Sequence, residues 1–154
     1  MSTAPPTEPA DAGRPPAPVA CPGCSAVLAP TPAGSAAQPD ATAACRDLFG
    51  RTTRELRELA ATDPQAGATL ALAEVAYAAQ HPAQTGADGL REALTILAAR
   101  LGDEPSPDPS PRPPAAWQMT SADIAADIDV VDIDVLVQSW ARSVAEDWSR
   151  ATRS

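Results

Sequence analysis

The sequence predicts an all-α fold: a small helical bundle of about four to five helices with an N-terminal Cys-x-x-Cys knuckle and a disordered, Pro-rich N-terminal tail. Three observations predict it. Apolar residues recur at three- and four-residue spacing in several segments that carry helix start and stop signals. Prolines gather in two blocks, residues 1–20 and 103–116, with six in each. No two alternating segments face each other across a hairpin turn, so no strand pair is expected.

Taken in order, residues 1–18 read as a disordered tail. Val19 is the only large apolar residue after Met1 in the first twenty positions, and such a stretch cannot bury enough surface to offset its ordering entropy. Residues 19–152 are expected to form one helical domain, interrupted by the Pro-rich loop 103–116. The domain opens on Cys21-Pro22-Gly23-Cys24, followed by a small-residue loop over 29–41. A first helix is expected from Thr42 to Ala61, with Cys45, Leu48, Phe49, Thr52, Leu56 and Leu59 on its apolar face. Gly50 inside it costs about 1 kcal/mol relative to alanine. The second helix starts at Asp63-Pro64, a cap followed by a first-turn proline. It stops near His81, because Pro82 disfavours helical geometry at the residue before it. Its apolar residues cover nearly every side, which places it in the middle of a bundle. A third helix is expected from Asp88 to Leu101, stopped by Gly102. After the Pro-rich loop, Trp117 returns to the core. Thr120 to Asp123 resembles a capping box before a short fourth helix. The last helix should run from Ile133 to Ala151, with Leu136, Trp140, Val144 and Trp148 four apart. By period alone Ile128 to Val135 also fits a strand, with no partner strand in view.

Composition excludes several functions. The chain has eleven arginines and no lysine or asparagine, a bias most simply produced by a GC-rich bacterial genome. Without lysine there is no Schiff-base chemistry and no P-loop of the usual kind. The net charge of −9 repels a phosphate backbone, so nucleic acid is not expected as a partner. Arg46, Arg51, Arg54 and Arg57 are the local exception. They alternate with Asp47, Glu55 and Glu58, which reads as a salt-paired, solvated helix face. No apolar run reaches the roughly 18 residues that span a bilayer, and the start has no apolar signal region. Three cysteines, an odd number, point to reduced thiols and the cytoplasm.

Cys21, Cys24, Cys45 and His81 are the candidate metal ligands, with zinc the expected cofactor. A Cys-x-x-Cys turn presents two thiolates to one tetrahedral ion. Cys45 lies near a helix start, where the dipole favours a thiolate. The competing reading makes Cys45 a small buried apolar residue and His81 a surface or helix-terminal one. A disulfide-exchange role is weaker, because that motif usually lies between a strand and a helix of a βαβ unit. Asp123, Asp127, Asp129, Asp132 and Asp134 superficially suggest calcium, but an EF-hand counted from Asp127 needs Gly and Glu where Asp132 and Gln138 stand. Those carboxylates suit helix starts instead. Trp117, Trp140 and Trp148 read as core.

Four pieces of sequence together resemble a known family. They are Cys21-Pro22-Gly23-Cys24, Cys45 with Leu48-Phe49, Tyr77-Ala78-Ala79-Gln80-His81-Pro82, and Trp140-Ala141 with Val144 and Trp148. In these the chain resembles the bacterial domain-of-unknown-function family 5946, over about residues 21–148. The resemblance carries no activity; it implies that the cysteines and histidine are metal ligands. The chain departs from the family pattern at Arg46, where tryptophan is usual, at Leu70 and Val75, where histidine and aspartate are usual, and at Ala145, where tryptophan is usual. The expected function is a non-catalytic accessory or protein-interaction protein with a structural zinc knuckle and another protein as its partner. The alternative is a metal- or thiol-dependent enzyme using Cys24 or Cys45 with His81 as base and Tyr77 beside it. A third reading is a bare helical scaffold.

Overall fold

The structure, a computed structural model, describes residues 13–31, 38–105 and 112–154. Expectations for residues 1–12, and for parts of the loops 29–41 and 103–116, lie outside the described residues. Among the described residues there are six α-helices and one two-stranded sheet.

The sheet corrects the expectation of no strand pair. Strands β1 (Val19–Ala20) and β2 (Val27–Leu28) pair antiparallel, Val19 opposite Leu28 and Ala20 opposite Val27. Two residues per strand are too few for a periodic signal. Val19 and Val27 are 50% and 65% exposed, so the hairpin buries little of its own apolar surface. An isolated hairpin is marginal at best in water.

The expected first helix is two helices, α1 (Ala43–Thr52) and α2 (Arg54–Leu59). Thr42 caps α1, its hydroxyl accepting from the Cys45 N–H. At the break, the hydroxyls of Thr52 and Thr53 donate to the carbonyls of Leu48 and Phe49. Such back-bonding to the residue four before competes with the helical ladder and bends it.

Helix α3 (Pro64–Gln80) begins as expected, with the Asp63 carboxylate accepting from the Gln65 N–H. It ends at His81, whose φ of −128° and ψ of 59° are no longer helical. It packs against α2, α4 and α6, the central place that its all-round apolar surface requires. A 3-10 turn (Pro82–Gln84) leads into α4 (Gly86–Leu101). Gly102 stops α4 at φ 76°, and the Asp103 N–H returns to the Ala98 carbonyl, the bonding of a left-handed glycine stop.

Helix α5 (Ser121–Asp127) carries the full capping box. Thr120 accepts from the Ala122 N–H, and Asp123 accepts from the Thr120 N–H. Residues 128–132 form no strand. The N–H groups of Val130 and Val131 both turn back to the Asp127 carbonyl. Asp132 then caps α6 (Ile133–Arg153), the last helix. The core joins the cysteines to Ala73, Leu97, Ile124, Val137, Trp140 and Val144. Among the described residues, no helix is long and apolar enough to cross a membrane.

Candidate metal centre

Three separate pieces of chain meet at one point. The hairpin supplies Cys21 and Cys24 from the turn between β1 and β2. The first turn of α1 supplies Cys45, and the end of α3 supplies His81. Their ligand atoms all lie within 4.8 Å of one another. Cys24 Sγ is 3.7 Å from Cys45 Sγ. His81 Nε2 is 3.4 Å from Cys21 Sγ and 3.6 Å from Cys45 Sγ. A tetrahedral zinc with Zn–S near 2.3 Å and Zn–N near 2.0–2.1 Å has S···S edges of about 3.8 Å and S···N edges of about 3.6 Å. The donor set and its spacing therefore fit such an ion.

The turn is shaped for this. The Cys21 N–H donates to the Ala26 carbonyl and the Ser25 N–H to the Cys21 carbonyl, which curls the chain around both sulfurs. Ser25 takes φ 64° to close it. Gly23 lies at its tip, where a Cβ would come within 2.5 Å of the Asp40 carbonyl oxygen and the His81 ring, and 2.6 Å of the Gln80 carbonyl oxygen. Only glycine lets the turn seat against α3. The Gly23 N–H donates to the Asp40 carbonyl at 2.7 Å, and its own carbonyl accepts from the Trp117 indole at 2.7 Å. The Asp40 carboxylate accepts from the Ala83 N–H beyond His81. Asp40 thus ties the loop before α1 to the turn after α3, and His81 Nε2 is the fourth donor atom of the cluster.

His81 is fully buried, not a surface residue. Its Nδ1 lies 2.7 Å from the Tyr77 carbonyl, which can only accept. In the neutral ring the proton is then on Nδ1, which leaves the Nε2 lone pair for a metal beside the sulfurs. That is the partner a metal-binding imidazole needs to fix its tautomer. The same bond satisfies one of the carbonyls left over at the end of α3. The Ala79 carbonyl accepts from the Trp148 indole at 3.0 Å. Gln80, also fully buried, accepts from the Trp140 indole at 3.1 Å and donates to the Met119 carbonyl at 2.8 Å. All three tryptophans therefore hold the segments that carry the ligands. Sequence reasoning put them in the core and missed this second task, along with the parts played by Gln80, Gly23 and Asp40.

Without metal, burial opposes a charged His81, but the sulfurs of Cys21 and Cys45 and the Tyr77 carbonyl outweigh it and raise its pKa from 6.5 to about 9. Hydrogen bonds from Cys24 and then Cys45 hold the Cys21 thiol far below its ordinary range. The same bonds, led by that to Cys21, keep Cys24 protonated. Burial, then the charge at Cys45, pushes the Tyr77 phenol up. Its hydroxyl donates to Cys45 Sγ at 3.8 Å, and its ring stacks on Phe49 at 4.2 Å.

Among the described residues the acidic stretch gathers no such group. Asp123 and Asp132 cap helices, and Asp134 accepts from the Thr69 hydroxyl. Among the arginines of α1 and α2, Arg57 lies 3.7 Å from Glu74.

The fold and site define a small helical protein with a buried Cys3His group able to hold a metal ion. The chain belongs to the family of unknown function DUF5946, whose model matches residues 19–109. That span contains all four cluster residues and stops before Trp117, Trp140 and Trp148. No curated protein and no solved structure matches the chain.

Proposed function

We propose that the protein is a non-catalytic accessory or protein-interaction protein of the cytoplasm, with Cys21, Cys24, Cys45 and His81 holding a structural zinc. The observation that carries this reading is closure. Each of the four residues is at most 1% exposed, and four protein donors fill a tetrahedral ion. A catalytic zinc keeps one position open to water or substrate. The enzyme alternative needs a reagent to reach Cys24 or Cys45, and both thiols are buried. The metal's role is then to crosslink three chain segments, which contributes directly to folding free energy. Support for a protein partner comes from Val130, Val131 and Val135, large apolar residues that are each exposed near the start of α6 in the chain. The chain's −9 charge speaks against nucleic acid.

The test is the metal content of protein purified without chelator. About one zinc per chain is expected for a four-ligand site, and Cys24→Ser should lose it. A metal-free parent whose three thiols titrate freely would end the proposal.

A further inference from the structure

Gly50 lies inside α1, where glycine is an unfavourable helix residue. Nothing in the packing requires it. A Cβ built there meets no atom within 4 Å, and its backbone is not among those with positive φ. What Gly50 does is line an open cleft of about 590 Å3, together with Arg46, Arg51, Arg54 and Arg57 from α1 and α2 and Tyr77 from α3. A bare stretch of helix at such a place lets a ligand approach the backbone closely.

The charge of this wall is opposite to that of the protein. Four of eleven arginines face one cleft on a chain of net charge −9. Asp47 is the one carboxylate among the lining residues. Arg46 and Asp47 are both engaged, and Arg57 shares an exposed ion pair with Glu74. The wall thus combines Arg57, salt-paired as expected of this face, with Arg51 and Arg54, which are in no ion pair among the described residues. Guanidinium groups take phosphate or carboxylate oxygens in pairs. The stacked rings of Phe49 and Tyr77 supply an apolar side. The volume falls in the range of small-molecule sites, roughly 300–1,000 Å3. A long polyanion would meet the repulsion of the whole chain.

We propose that this cleft binds a small, multiply charged oxyanion, phosphorylated or polycarboxylate. The experiment is calorimetry on the full chain at low salt, with inorganic pyrophosphate and citrate as separate probes and a single-stranded oligonucleotide as a third. Saturable 1:1 binding of pyrophosphate or of citrate is expected, and which of them binds identifies the phosphoryl or the carboxylate source. Arg51→Gln with Arg54→Gln should weaken it by about tenfold or more, the loss of charge-assisted hydrogen bonds. Both side chains are exposed, so this variant should melt like the parent. Gly50→Ala should raise the melting temperature while weakening the probe, a split that a purely structural glycine would not produce. No saturable binding of either small anion, binding that both variants leave unchanged, or binding of the oligonucleotide alone would each overturn the proposal.

Discussion

Replacing Gly23 by alanine adds one methyl group at the point where the hairpin turn meets the other two segments of the cluster. The methyl would sit 2.5 Å from the Asp40 carbonyl oxygen and 2.6 Å from the Gln80 carbonyl oxygen. Both are backbone atoms, so neither can rotate away. Its third neighbour, the His81 ring at 2.5 Å, is held by its own bond to the Tyr77 carbonyl. Overpacking costs about 1–3 kcal/mol when side chains can adjust. Here none can, so about 3 kcal/mol is expected. For a chain of this size that lowers the melting temperature by roughly 6–12 °C. Relief requires the turn to lift off α3, which separates Cys21 and Cys24 from His81 and should lower zinc content too. Thermal unfolding by circular dichroism, with metal analysis of the same sample, reads both. Gly13→Ala is the control, since nothing lies within 4 Å of a Cβ there. A Gly23→Ala protein that melts with the parent and keeps its metal would refute the description of the turn.

Three further outcomes are expected. Trp140→Ala should cost about 3–5 kcal/mol, toward the upper end because it leaves the buried Gln80 oxygen without its donor; parent-like urea denaturation would contradict this. Ser25→Gly should stabilise by about 1 kcal/mol, because the φ of 64° strains any residue with a Cβ; a lower denaturation midpoint would count against the positive φ. Acid should release the metal, because protons compete for three thiolates and a neutral imidazole. Metal-free His81 keeps its proton up to about pH 9, so zinc uptake at neutral pH must displace it and calorimetric heats should vary with buffer ionisation. Uptake heats that ignore the buffer would contradict that protonation state.

Where a residue's local chemistry decides its structure, the sequence was readable. Asp63-Pro64 and His81-Pro82 bounded α3 almost to the residue, and Thr120 with Asp123 announced α5. The cluster was readable for a related reason: cysteine and histidine were scarce enough that all four copies could be named together. What escaped depended on distant neighbours. The hairpin's strands are too short to show a period. The break at Thr53 rests on two hydroxyls choosing backbone carbonyls, a choice no spacing rule reports. Gln80 looked like one more polar residue at a helix end, yet its burial is paired off by Trp140 and Met119. The alternation over Ile128–Val135 makes no strand because a helix cap at Asp132 divides it, in line with the absence of a partner strand in the sequence.

The hairpin shows how a metal held by the cluster would form one device with the tryptophans. It has two residues per strand and exposed valines at two of its four positions, so sheet pairing alone cannot hold it. Protein contacts fasten it through Gly23, whose N–H and carbonyl reach Asp40 and Trp117. Trp117 in turn packs edge-on against Trp148 at 6.0 Å, and Trp148 grips the end of α3 beside His81. The chain of contacts thus runs from knuckle to tryptophan to helix end and returns through the sulfurs to the knuckle. Cutting it at the metal leaves three free thiols buried together. Cutting it at Trp117 leaves a metal holding a turn with one anchor fewer. The ring would be closed only with both present, so zinc affinity and fold stability should respond to the same substitutions, including Trp117, whose indole donates to the Gly23 carbonyl.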